Sequence, residues 1–192
     1  MDNKYKIIEC ALELFNDKGY DGIGVQEICE KAGVTKPTLY HYFGSKLGLL
    51  ESLLDYYYRE FRGDFKEVCI YDGDLPVNLY KIAKVYFTFA SRNKNCYLLV
   101  MSMLYSGIKS DSYKATREIR NEQFELLTEL FKKAGDVNGN LNGRQKQFAA
   151  TFLGALNSYL VYWFAIHKHQ DENISDDQVF AVVHQFMHGI YT

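Results

Sequence analysis

The chain has 192 residues, a formal charge of −2, 47% hydrophobic and 24% charged residues, and 16% aromatics. That balance excludes wholesale disorder and allows a core that needs no disulfides. A near-neutral charge excludes a protein that coats nucleic acid or membrane by bulk attraction, while leaving room for a local basic patch. No apolar run backs the basic residues of MDNKYKIIEC, so no signal peptide is expected. The stretch Tyr97–Tyr105 is apolar but falls far short of the ~18 residues that span a bilayer, so no membrane partner is expected either. Cys10, Cys29, Cys69 and Cys96 are scattered with no C-x-x-C pair. They exclude a zinc ribbon or thioredoxin-like site and point to reduced thiols in a cytoplasmic protein.

Helical periodicity predicts an all-α fold of about nine helices. Residues 3–18 place Ile8, Leu12 and Phe15 on one face, with Gly19 as C-cap. A short helix over 25–31 carries Val25, Ile28 and Cys29 and stops at Gly33. Thr35 then caps a helix with Pro37 in its first turn and Leu39 and Phe43 as an i,i+4 apolar pair. Ser45 caps a bridging helix over 46–62 that carries Leu49, Leu50, Leu53 and Leu54. After a break at Tyr71-Asp72-Gly73-Asp74, Leu79, Ile82, Ala83, Tyr86 and Ala90 form one stripe. The run 96–105 is apolar all round and reads as a buried helix. One long charged helix is expected over 111–134, a Gly- and Asn-rich loop over 135–143, and two last helices over 144–167 and 176–191.

The segment 26–45 has the physical logic of a helix-turn-helix: a helix, a tight turn at Gly33, and a second helix. Val34 can fill the angle between the helices, and Ile28, Leu39 and Phe43 can hold the second against the first. Lys36, Thr38, Tyr40, His41 and Tyr42 then face outward as donors, acceptors and flat rings suited to groove edges and phosphates.

Residues 5–54 resemble the DNA-binding domain of the TetR (tetracycline repressor) family. The resemblance is carried by Ala11, Leu14, Phe15, Gly19, Tyr20, Ile28, Ala32, the run Gly33-Val34-Thr35-Lys36-Pro37-Thr38-Leu39-Tyr40-His41-Tyr42-Phe43, Lys46 and Leu49. Gly24 stands where that family commonly has Ser or Thr, and Cys29 where it commonly has Ala. The resemblance implies a DNA-binding domain over 1–48 and a helical ligand-binding and dimerisation domain over 49–192. It implies a ligand-released repressor, neither an enzyme nor the holder of a metal or other cofactor. Thr35, Lys36, Pro37, Thr38 and His41 would approach the major groove, and Gln26 a base or phosphate. Tyr40 and Tyr42 would meet the backbone, and Lys46 a phosphate beside the positive end of its helix. Acidic residues offset the lysines of the first 62 positions, so one subunit neutralises few phosphates and tight binding calls for two subunits on a two-fold operator.

The last two helices are apolar on more than one side, and in this family they form the dimer interface. Phe152, Leu160, Val179, Val183, Phe186, Met187 and Ile190 are the expected dimer residues. Tyr86, Phe89, Tyr97, Met101, Tyr105, Phe124, Tyr159 and Trp163 are the expected lining of a pocket for an inducer of mainly hydrophobic or aromatic character. The alternative from another class is a helical metal-binding protein or enzyme built on His167, His169, His184 and His188. His184 and His188 have the i,i+4 spacing of zinc-binding helices, with no Glu between them as in H-E-x-x-H and no fixed third ligand.

Overall fold

A computed structural model describes residues 2–104, 106–139, 141–167 and 174–189. Among them there are ten helices and no strand: α1 (Asn3–Lys18), α2 (Val25–Ala32), α3 (Lys36–Phe43), α4 (Lys46–Val68), α5 (Leu75–Arg92), α6 (Lys94–Leu104), α7 (Asp111–Ala115), α8 (Arg117–Asn138), α9 (Gln145–Ile166) and α10 (Asp176–His188). The all-α class is as the periodicity predicts. Three boundaries differ. The bridging helix expected over 46–62 continues to Val68. The expected helix over 111–134 breaks at Thr116, whose hydroxyl turns back to donate to the Tyr113 carbonyl at 3.0 Å. Gly135 lies inside α8, not in a loop. A Cβ there would come within 3.0 Å of Asn142 Oδ1, so glycine lets the returning turn pack against the helix.

The chain packs as two compact units. The first comprises residues 1–59 and 93–118, the second 60–92 and 119–192. In these units α6 and α7 lie with the amino-terminal helices, and α4 contributes residues to both.

In the first unit α1 packs against α2, α3 and α6. Ile7, Ile8, Ala11, Leu12 and Phe15 are buried along one stripe of α1, the face its periodicity predicts. Ile28, Leu39, Leu49, Leu50 and Leu53, all of them fully buried, and Tyr97 of α6 belong to the core of the same unit. Each such side chain contributes roughly 1.5–3 kcal/mol of hydrophobic stabilisation.

In the second unit α5 packs on α9 and α10. Phe61 and Phe65 of α4 form an aromatic cluster with Tyr86 and Phe89 of α5, with ring centroids 4.6–6.2 Å apart. Asn78, almost fully buried, fixes the turn between α4 and α5. Its amide donates to the Val68 and Ile70 carbonyls at 3.3 and 2.9 Å, and its oxygen accepts from the Asp72 N–H at 3.3 Å. That satisfies polar groups which burial would otherwise leave costly.

Candidate nucleic-acid interface

The turn between α2 and α3 is set by Gly33, at φ +63 and ψ 37 in the left-handed region, where a side chain would be strained. The Val34 N–H returns to the Cys29 carbonyl at 3.0 Å. Thr35 caps α3 by accepting from the Thr38 N–H at 3.4 Å, and the two threonine hydroxyls lie 2.9 Å apart. Leu39 and Phe43 are buried, which rotates the rest of α3 outward. Lys36, Pro37, Tyr40, His41 and Tyr42 are exposed and Thr38 half-buried, on one short helix. Tyr40 keeps 47% of its surface open, far more than a ring serving only to pack. After α3, Ser45 Oγ accepts from the Gly48 N–H at 2.9 Å and starts α4. A Cβ on Gly48 would lie 2.1 Å from the Phe43 carbonyl oxygen, so the close passage of α4 past the end of α3 requires glycine.

Gln26 is exposed at the start of α2, and its amide donates to Glu30 at 2.7 Å. Gly24 makes no side-chain cap; instead the Glu27 carboxylate accepts from the Gly24 N–H at 3.2 Å and from Lys18 at 2.9 Å, and these bonds hold Glu27 below its ordinary pKa. Lys18 pairs with Glu27 and Lys31 with Glu13, so both lysines are locally neutralised. Lys36 and Lys46 are in no ion pair among the described residues. Lys46 opens α4, where exposed backbone N–H groups add positive potential. Burial lowers its pKa.

The family model described as bacterial regulatory proteins, tetR family, matches residues 7–53, the span of this helix-turn-helix with the helices that support it. The chain carries a TetR-family DNA-binding domain. The regulator is 26% identical over 157 residues to the HTH-type transcriptional regulator YvkB of Bacillus subtilis, covering 82% of this chain and 80% of that one. It is 39% identical over 51 residues to the class D tetracycline repressor protein of Escherichia coli, which is 27% of this chain and 23% of that one. Its fold matches FadR of Bacillus subtilis, solved in complex with stearoyl-CoA, at a TM-score of 0.79 and 18% identity, with 97% and 99% of the two chains covered. It also matches AibR, solved with isovaleryl coenzyme A and operator DNA, at a TM-score of 0.68 and 21% identity over 94% and 95%. With its TetR-family DNA-binding domain, the regulator is a DNA-binding transcriptional regulator.

The residues expected to line one pocket are divided between the two units. Tyr97 and Met101 are buried core of the first. Tyr86 and Phe89 are buried in the aromatic cluster of the second, and Phe124 of α8 is half-buried. Tyr159 stacks on Phe87 at 5.6 Å and 2°, and Trp163 on His167 at 3.7 Å. Tyr105 lies outside the described residues. Sequence reading missed a polar group inside the second unit. The Tyr86 hydroxyl donates to Asn157 Oδ1 at 2.8 Å and lies 3.4 Å from Gln123 Oε1. Arg62, half-buried, places Nε 3.4 Å from Glu122, and Arg120 is half-buried on the same side of α8 as Gln123. The signal was there: Arg120 and Gln123 continue the stripe of Leu127, Phe131 and Ala134.

The expected dimer residues are divided between buried and open positions. Phe152, Leu160, Val179 and Val183 are buried inside the regulator's own second unit, because α9 and α10 pack on each other and on α5. Phe186 is half-buried against Phe131 and Phe152. Only Met187 is open, and Ile190 lies outside the described residues. The uncovered apolar surface of these helices is a different set: Val161, Tyr162 and Ile166 on α9, and Phe180 and Met187 on α10. Among the described residues, α9 is also the one helix long and apolar enough to cross a membrane, and a third of that stretch is buried within the chain. His184 and His188 are exposed with rings 4.5 Å apart, and His169 lies outside the described residues. No group of three or more His, Cys, Asp or Glu suited to a metal ion occurs among the described residues.

Proposed function

We propose that the regulator binds a two-fold operator as a cytoplasmic homodimer and leaves it when the second domain takes up an acyl ligand such as an acyl-CoA thioester. The carrying observation is the outward face of α3, where Lys36, Tyr40, His41 and Tyr42 stand exposed on a helix held by buried Leu39 and Phe43. In this reading Thr35, Lys36, Pro37, Thr38 and His41 read the major groove, Gln26 reaches a base or phosphate, and Tyr40, Tyr42 and Lys46 hold the backbone. Phosphate contacts fix register and base contacts supply preference.

Two subunits are needed because each offers few uncompensated cations, and a two-fold site asks for a two-fold protein. The open apolar residues Val161, Tyr162, Ile166, Phe180 and Met187 support a self-complementary face on α9 and α10. The polar group Tyr86, Gln123 and Asn157 stands among Phe61, Phe65 and Phe89, with Arg62 and Arg120 in the same unit. Such surroundings suit a ligand with an apolar chain and a carbonyl or anionic end. The acyl-CoA complexes of FadR and AibR, proteins of the same fold, add support for that class.

The test is a titration of the full-length protein onto DNA from upstream of its own and neighbouring genes, read by fluorescence anisotropy, with and without acyl-CoAs of graded length. Saturable binding to one site with two subunits, reversed by one class of acyl-CoA, is expected. Equal affinity for every duplex, or a complex unchanged by any acyl-CoA, would reject the operator or the ligand part respectively.

A further inference from the structure

We infer that Tyr20 is a positioning residue for DNA binding: its ring holds the Lys46 ammonium at the first turn of α4, poised for a phosphate. The inference rests on the proposed phosphate contact of Lys46. Lys46 Nζ lies 4.2 Å from the centroid of the Tyr20 ring, within the range of a cation–π contact. The ring is itself fixed. Tyr20 follows Gly19, where α1 ends at φ +76, and it is 8% exposed. It packs edge-on against fully buried Phe15 at 5.2 Å, and its carbonyl accepts from the Ile23 N–H at 3.4 Å. Burial pushes the Tyr20 hydroxyl up to about 12, so the ring stays neutral wherever DNA binding is measured.

A free lysine holds its charge on a flexible four-carbon stem and loses rotamer entropy on meeting a phosphate. A ring face that already holds the ammonium removes part of that loss before DNA arrives. The ring is not spent in the contact. One side of the ammonium rests on it while the other N–H groups remain free for an oxygen beside the amino-terminal end of α4. Asp21, next in the chain, acts on the same ammonium as a favourable charge. The arrangement makes Lys46 dependent on a residue that need not touch DNA.

The test is a double-mutant cycle on the full chain, with dissociation constants for operator and for an unrelated duplex over a salt series. Tyr20→Leu should weaken both DNAs about two- to five-fold, the effect of an exposed cation–π contact. In a Lys46→Ala background it should weaken them no further. Tyr20→Phe keeps the ring and should bind as the unaltered protein does. Pentafluorophenylalanine at position 20 keeps the shape but reverses the ring's electrostatics, and should weaken binding as Leu does even if Tyr20→Leu fails to fold. Equal loss from Tyr20→Leu with and without Lys46, or full binding by the fluorinated ring, would overturn the inference while leaving the phosphate contact intact. No effect of Lys46→Ala alone would overturn the phosphate contact and the inference with it.

Discussion

Phe186 of α10 lies 4.8 Å from Phe152 of α9, ring to ring, inside the second unit of one chain. Within the chain these two side chains join the two helices expected to meet a second subunit. Charge placed in that core would therefore unfold the chain, whereas charge on the open face should separate subunits. Val183→Asp is expected to destabilise by more than about 3 kcal/mol, since a buried charge would have no partner. Tyr162→Glu and Phe180→Glu, at positions 62% and 59% exposed, should fold normally and yield monomers with reduced operator affinity. Light scattering with a thermal melt checks both, and a folded, dimeric Tyr162→Glu/Phe180→Glu double variant would place the interface elsewhere.

The lysines of the DNA-binding unit should divide by role. Lys46→Ala removes the proposed phosphate contact, so it should weaken binding to all duplexes alike and reduce the salt slope by about one. Lys36→Ala or Thr38→Ala should instead relax preference at particular base pairs, at about 1–3 kcal/mol where a good base contact is lost. Competition against a library of single-base operator variants, repeated at several salt concentrations, separates the two outcomes.

The Tyr86 hydroxyl joins α5 to α9 through Asn157. Tyr86→Phe should cost about 1–3 kcal/mol of stability, because Asn157 loses a buried partner. It should also weaken the acyl ligand. Linkage requires that operator DNA weaken the ligand by the same factor that ligand weakens DNA, roughly 5- to 150-fold for a typical coupling. Calorimetric titration of the ligand with and without operator measures that factor directly, and unequal factors would mean the ligand does not act through the DNA-binding equilibrium.

Stability should fall in alkali. Burial pushes the Cys69 thiol from 9.0, and the Tyr20 and Tyr57 hydroxyls from 10.0, up to about 12 in each case. The folded chain keeps these protons above the pH at which the unfolded chain releases them. Between about pH 9 and 12 the unfolded state therefore binds fewer protons, and stability drops as pH rises. Below pH 9 these groups contribute their full stabilisation. Unfolding midpoints from pH 7.5 to 11.5 should be level at first and then fall, and Cys69→Ser should move the start of the fall upward.

The sequence determined the helix-turn-helix by itself, because local physics decides it. Gly33 admits the left-handed turn, Thr35 caps α3, and Leu39 with Phe43 fix which side faces in, all within eleven consecutive residues. The outward residues Lys36, Tyr40, His41 and Tyr42 follow from that choice without reference to any distant residue. Periodicity likewise determined where most helices run. It could not say which side of α9 or α10 meets a neighbour in the same chain, because both sides carry apolar residues and packing on α5 selects one. The same holds for the interior of the second unit. Tyr86, Gln123 and Asn157 are separated by 37 and 71 positions, and no spacing rule links them. Grouping of α6 with α1, and of Lys46 with Tyr20, was also decided by tertiary packing, which brings together side chains whose chemistry is ordinary until they touch.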